Sequence, residues 1–263
     1  GEVCGLLGPN GSGKTPALRL MMGFLRPTAG RALIAGHDCW NDGVAARNNV
    51  AYLPGELRLY ENMTGRQLIA FLSAIRGLQP AADLDEQARR LEIDLERQIA
   101  DLSSGMKRKV ALLQVLSCQA PLVILDEPTN TLDPNMRDQL LAQLRQARAR
   151  GQAVLFSSHV LSEVEQVCDR VGILERGKLV HVQDMAELRE GRLIHVEFVQ
   201  PPAAPPELPG LKISSWQPDA ASFEIRGELS GLLGWLASQS VRDLRIEPLG
   251  LSAIYQLYHG GEA

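Results

Sequence analysis

Apolar residues along this chain fall into two alternating patterns. Residues 3–7, 50–53, 122–125 and 153–156 are short continuous apolar runs, closed by Gly, Pro, Asp and Ser respectively, as expected of strands buried on both faces of a sheet. Between them the spacing turns helical. Residues 17–22 continue as a helix out of a glycine-rich turn. Asp133-Pro134 opens a helix that runs to about residue 150 and is stopped by Gly151, and Leu161, Val164, Val167 and Val171 share one side of another. Residues 31–35 predict a short strand after the turn Arg26-Pro27-Thr28-Ala29-Gly30, and the segments flanking Arg176-Gly177 predict a hairpin. This alternation implies an α/β fold with a mostly parallel sheet covered on both faces.

Two regions break the rhythm. From 64 to 76, Leu68, Ile69, Phe71, Leu72 and Ile75 recur at helical spacing; residues 84–95 form a charged amphipathic stretch, and 107–116 a further helix. A largely helical insert over about 56–118 therefore interrupts the sheet pattern. Past about residue 191 the character changes: 193–199 alternates like a strand, 200–210 is a Pro-rich linker, and 212–215, 223–226 and 243–246 read as strands, with helices at 229–237 and 251–258. The organisation expected is one large domain over 1–190 and a small α/β extension over 191–263.

Composition narrows the class. In 263 residues, 45% hydrophobic and 22% charged, the balance is that of a globular chain, and a net charge of −4 offers no basic footprint for nucleic acid. The longest apolar region, 110–125, is broken by Gln114, Ser117, Gln119 and Pro121 and falls short of a membrane-spanning helix. Cys4, Cys39, Cys118 and Cys168 are widely spaced and read as reduced thiols; His37 and Cys39, two ligand types without partners, read as a loop. The chain opens on Gly1 close to its first strand, so the true N-terminus is expected to lie upstream.

The chemistry starts at Gly8-Pro9-Asn10-Gly11-Ser12-Gly13-Lys14-Thr15, which fits the P-loop pattern G-x-x-x-x-G-K-[ST] at every fixed position, between a strand and a helix. Small residues let the backbone wrap a phosphate chain so that N–H groups converge on it, and the helix beginning near Gly13 adds the positive end of its dipole. Lys14 would reach the β and γ phosphates, and the Thr15 hydroxyl would hold Mg²⁺. The apolar run 122–125 ends in Asp126-Glu127, a Walker B arrangement: Asp126 would help hold the metal, and Glu127 would polarise the attacking water.

Leu102-Ser103-Ser104-Gly105-Met106, Asp126-Glu127-Pro128-Thr129-Asn130, Thr131-Leu132-Asp133 and Ser158-His159 follow the P-loop in an order that resembles the nucleotide-binding subunit of an ATP-binding cassette (ABC) transporter, of bacterial multidrug-exporter type, over about residues 1–188. The family signature Leu-Ser-Gly-Gly-Gln is matched at Leu102, Ser103 and Gly105, and Lys107-Arg108-Lys109 resembles what export-type members carry next. The resemblance implies a P-loop NTPase fold with a helical subdomain, and ATP and Mg²⁺ as cofactors. It implies two cassettes facing head to tail, each ATP lying between one P-loop and the Ser103 and Gly105 of the other. It makes Asp133 the D-loop residue that communicates across the dimer. His159 becomes the switch histidine at the γ-phosphate, alongside Glu127 and Lys14.

Three departures stand out. The Q-loop glutamine position falls at Gly55, which has no side chain; Glu56, one residue on, is the candidate to reach the metal, with a carboxylate that also repels phosphate. Pro16 stands where the family has Thr or Ser, whose backbone N–H donates to the α-phosphate; Pro has no such donor. The adenine-stacking aromatic is expected in a segment before Gly1. The function implied is an ATPase driving export through a separate membrane permease, at the cytoplasmic face of the cell membrane and with a second such subunit, the chain having no spanning segment of its own. Two alternatives stay open. One is a soluble ABC ATPase acting on ribosomes or DNA, although no paired cassette, charged linker or long coiled-coil arm is visible. The other is a nucleotide-sensing subunit with little hydrolysis, motivated by Pro16, Gly55 and the altered signature. The presence of Lys14, Asp126, Glu127 and His159 together favours an active enzyme. The extension resembles that of some bacterial drug-exporter ATPases at residues 248–258.

Overall fold

The computed structural model describes residues 1–77 and 79–259, and the chain divides into two compact units, Gly1–Val182 and Gln183–Ala263. In the first unit the elements run β1 (Val3–Leu7), α1 (Lys14–Met21), β2 (Leu33–Ile34), β3 (His37–Asp38), α2 (Gly43–Asn48), β4 (Val50–Leu53), α3 (Gly65–Ile75), α4 (Leu84–Arg90), α5 (Ser104–Leu116), β5 (Leu122–Leu125), α6 (Pro134–Ala149), β6 (Ala153–Ser158), α7 (Leu161–Val167), β7 (Arg170–Glu175) and β8 (Lys178–Asp184), which reaches the boundary. Six strands form one sheet in the order β4-β5-β6-β1-β7-β8, and the first five run parallel. Parallel strands put all their carboxyl ends on one edge, and the loops leaving them meet there. β8 returns from β7 through Arg176-Gly177, both at positive φ (47° and 79°), a two-residue turn that joins antiparallel neighbours.

The apolar runs are central because they have no polar face to show to water. Val3, Leu7, Val123, Ile124, Leu125 and Phe156 are all essentially inaccessible. On one side of the sheet Leu18, Met22, Ile34, Cys39, Ala46 and Val50 close a cluster over Ile124, which places Cys39 in packing. The helical insert is built on its own buried set, including Leu68, Ile69, Leu84, Leu91, Leu95 and Ile99. α3 starts in a full capping box: Thr64 Oγ1 accepts from the Gln67 N–H and the Thr64 N–H donates to Gln67 Oε1.

Several boundaries differ from the sequence pattern. The strand expected over 31–35 shrinks to Leu33–Ile34 because the chain reverses at Ala35-Gly36, both at positive φ, to pair with His37–Asp38. The charged amphipathic stretch 84–95 is helical only to Arg90, with Glu92 at φ 54°, which turns Ile93 and Leu95 inward. Val171 leaves the helical side on which its spacing placed it and sits in β7. Asp169, which both accepts from the Val3 N–H and donates its own N–H to the Val3 carbonyl, draws the chain off α7 onto the sheet. The short helix α2 had no periodic signal.

The second unit holds α8 (Met185–Glu190), β9 (Gly191–Phe198), β10 (Leu211–Trp216), β11 (Ala220–Arg226), α9 (Ser230–Ala237), β12 (Val241–Pro248) and α10 (Leu251–His259). Its sheet is antiparallel in the order β10-β11-β9-β12, and Leu232 and Leu236 of α9 pack with Ile194, Val196, Phe198, Phe223 and Ile225 on one face. The unit begins at Gln183 rather than at residue 191 because α8, capped by Asp184, packs on β9 and β12.

Candidate nucleotide site

The P-loop closes the carboxyl end of β1. Gly13 caps α1 with φ 105°, a conformation that suits only glycine, and a Cβ at Gly8 would lie 2.4 Å from Ser12 Oγ and 2.6 Å from the Leu174 carbonyl. The loop can therefore lie flat against β7 only with glycine at position 8. Its far side is held by the Gly177 N–H, which donates to the Ser12 carbonyl at 2.8 Å. Lys14 is buried, and its Nζ donates to the carbonyls of Gly8 (2.7 Å) and Pro9 (3.1 Å) while pairing with Glu127 Oε1 at 3.4 Å. Pro16 is the third residue of α1, exposed and lining the cleft. It removes no intrahelical bond, since the first four N–H groups of a helix have no internal partner.

Asp126 and Glu127 leave β5 side by side. Asp126 is fully buried; its Oδ1 accepts from Ser157 Oγ at 2.7 Å, and its Oδ2 has no hydrogen-bond partner among the described residues. A buried carboxylate oxygen left unpaired is costly. A hard cation is the ligand that would satisfy it. Glu127 is held at φ 46°, its N–H donating to Ser157 Oγ at 2.9 Å and its Oε2 accepting from Asn130 Nδ2 at 2.6 Å. His159, just past β6, places Nδ1 3.8 Å from that same oxygen. Together with Asn10, Gly11, Gly13, Lys14, Thr15, Arg19, Gly55 and Glu56, these carboxylates line a cleft of about 380 Å³.

Gly55 stands against the unpaired oxygen: a Cβ there would lie 3.2 Å from Asp126 Oδ2. Glu56 is exposed at the cleft wall. Beneath both turns lies Arg108, 4% exposed, whose guanidinium donates to five backbone carbonyls. These are Pro128 (3.3 Å), Pro54 (3.4 Å), Gly55 (2.7 Å), Asp126 (2.9 Å) and Glu127. Burial pushes its pKa down, opposed by the charges of Asp126 and Glu127. Burial likewise raises that of Tyr52, at the end of β4, with Asp126 adding to the effect.

Ser103, Gly105 and Asp133 are placed elsewhere. Ser103 caps α5, its Oγ accepting from the Met106 N–H at 3.3 Å, so the signature forms the first turn of that helix. Gly105 lies against the Thr131 carbonyl, which a Cβ would meet at 3.3 Å. Asp133 caps α6 through the Met136 N–H at 2.9 Å. None of the three lines the cleft of its own chain.

The structure adds residues that motif reading passed over. Arg108 shares a helical stripe with Ala111, Leu112 and Val115, all buried, and a charge on a buried stripe is a signal that it serves other groups. Glu163 is buried too, accepting at Oε2 from Thr129 Oγ1 and Ser158 Oγ, both at 2.9 Å, and so tying the turns after β5 and β6 together.

Residues 1–130 match the family model described as ABC transporter. Over 198 residues the chain is 37% identical to an uncharacterized ABC transporter ATP-binding protein of Nostoc sp., covering 72% of this chain and 58% of that one. Over 185 residues it is 35% identical to the probable multidrug ABC transporter ATP-binding protein YbhF of Escherichia coli, covering 68% of this chain and 32% of that one. The chain thus spans about a third to three fifths of the length of these curated relatives. Among solved structures it is similar to an ATP-binding subunit of an ABC transporter, at 30% identity and a TM-score of 0.64, over 72% of this chain and 80% of that one. With the P-loop, the carboxylate pair and the parallel sheet in the arrangement described, the chain belongs to the ABC transporter ATP-binding protein family.

Proposed function

We propose that the chain binds and hydrolyses ATP as the nucleotide-binding subunit of an export-type ABC transporter, pairing with a second such subunit and driving a separate permease from the cytoplasmic face of the membrane. The observation that carries this reading is the convergence, in one cleft, of the P-loop, an unpaired Asp126 oxygen, and Glu127 set between Lys14 and His159.

A triphosphate offers Lys14 stronger acceptors than the two carbonyls and the carboxylate it now contacts, so binding would draw the ammonium off Glu127. Glu127, still fixed by Asn130 and by its own N–H on Ser157, would then be free to accept a hydrogen bond from the attacking water. His159, with Nδ1 3.8 Å from Glu127 Oε2, would share that task and would contact the γ-phosphate. Asp126 Oδ2 and the Thr15 hydroxyl, with Glu56 at the rim, would hold Mg²⁺. The metal would neutralise charge between the β and γ phosphates. Ser103, Gly105 and Asp133 lie outside the cleft of their own chain, which supports a site completed by a second copy. Tyr60, Phe71 and Ile75 are exposed on the helical insert, with the Tyr60 and Phe71 rings 5.5 Å apart, and offer the permease an apolar face. YbhF is a probable multidrug transporter component, and the resemblance at Lys107-Arg108-Lys109 points the same way, to export.

ATP hydrolysis by the purified chain, beside Glu127→Gln and with size-exclusion chromatography in ATP, tests the reading. Turnover lost in the variant, together with an ATP-dependent dimer, is expected. Nucleotide binding without turnover in the parent would favour the sensing subunit, to which Gly55 and Pro16 lend support; no nucleotide binding would refute both.

A further inference from the structure

Among the described residues, Arg108 bonds to five carbonyls beside the cleft, and none of these bonds goes to a side chain assigned above to nucleotide, metal or water. A guanidinium has five N–H donors, and here each of five carbonyls, from two separate turns, receives one. All five acceptors are backbone atoms, so Arg108 reads the position of the chain and not the identity of its side chains. One turn, Pro54-Gly55, follows β4; the other, Asp126-Glu127-Pro128, follows β5 and carries the catalytic carboxylate in a left-handed conformation. Arg108 itself lies one helical turn beyond Gly105 on α5, whose N-terminal end carries an exposed Ser103 and a half-buried Gly105.

We propose that Arg108 is a positioning residue that ties the first turn of the signature helix to the backbone of the turns at Gly55 and Glu127, so that contact of one subunit's Ser103 and Gly105 with the nucleotide on its partner sets the pose of its own Glu127. The inter-subunit half of this proposal rests on the dimeric reading given above. The device suits a chain with glycine at position 55: no side chain there can relay the state of the site, but its carbonyl, 2.7 Å from Arg108, can. A rigid planar fork spans both turns at once. A lysine, with its donors on one atom, cannot.

Amide hydrogen exchange of the nucleotide-free full chain, parent against Arg108→Lys and Arg108→Met, tests the tie without any need for turnover. Exchange over 54–57 and 126–130 is expected to quicken by about tenfold or more, the equivalent of one lost hydrogen bond, with 8–15 unchanged. In the same variants ADP affinity should match the parent, while kcat falls and the Hill coefficient for ATP drops toward unity. Unchanged exchange at both turns overturns the tie. Faster exchange with parental kcat and Hill coefficient overturns the coupling, and so does a joint loss of ADP affinity and P-loop protection, which would mark a merely structural role. A parent that forms no ATP-dependent dimer defeats the dimeric reading and the coupling between subunits with it, and exchange still decides the tie within the chain.

Discussion

Replacing Pro16 by Thr should tighten nucleotide binding while leaving the fold as stable or slightly less so. Gly13 caps α1, and the first intrahelical bond runs from the Ala17 N–H to the Gly13 carbonyl at 3.0 Å, so a restored N–H at position 16 would have no internal acceptor and would face the cleft. A hydrogen bond to a charged group contributes about 1.5–3 kcal/mol. At about 1.4 kcal/mol per decade, that is roughly 10- to 150-fold in affinity. The opposing effect acts on the unfolded chain: giving up a proline whose conformation suits the helix start costs about 0.4–1 kcal/mol of stability. Titration of ADP, which carries the α-phosphate and is not hydrolysed, against parent, Pro16→Thr and Pro16→Ala measures the effect beside thermal unfolding. Both variants should gain affinity, since both restore the N–H. Equal affinities in all three would refute the reasoning, and a gain confined to Thr would assign it to the hydroxyl.

Other outcomes follow from the same geometry. Glu127→Gln should lower kcat by about 10²- to 10⁴-fold, the range for loss of a general base, while nucleotide affinity holds or rises because Lys14 loses its carboxylate partner at 3.4 Å; parallel titrations and turnover assays check this, and a fall in affinity to match kcat would contradict it. Thr131→Gly should raise Tm, since a β-branched residue at φ 67° carries about 1–2 kcal/mol of strain that glycine relieves in part; a lower Tm would show that Thr131 is held for its side chain. Asp38 accepts from the Asn41 N–H at 2.8 Å and the Trp40 N–H at 2.9 Å, which hold its carboxyl below the usual value of 3.8. A depressed folded pKa contributes stability above 3.8 that is lost as pH falls through the folded value. Asp38→Ala should therefore lower Tm at neutral pH by an amount that shrinks below pH 3.8, and a gap independent of pH would rule out the charge.

The extent to which the sequence discloses this protein differs by element. Strands 50–53 and 122–125 are observed at those bounds, because a run with no polar face has one low-energy place to go, between two other layers. α6 is bracketed by Asp133 at its N-cap and Gly151, at φ 87°, just past its end, and both chemistries are local. Helix ends governed by distant partners were not legible: α4 stops early to bury Ile93 and Leu95, and α7 yields Val171 to β7 because Asp169 bonds Val3, 166 positions away.

At the site, the sequence by itself determined which groups exist: a loop able to approach phosphate closely, a lysine and a threonine at its end, two carboxylates closing a buried strand, and a histidine closing the next. These follow from residue type and spacing over a few positions. Only the tertiary structure decided that Lys14 pairs with Glu127, that Asp126 keeps one oxygen beside Gly55 unpaired among the described residues, that Glu163 joins Thr129 to Ser158, and that Arg108 gathers the carbonyls of two turns. Apart from Ser158 and Glu163, which are 5 positions apart, those contacts join residues 18 to 113 positions apart, and such pairings are made by the parallel sheet, which brings the carboxyl ends of β1, β4, β5 and β6 to one edge whatever their separation along the chain.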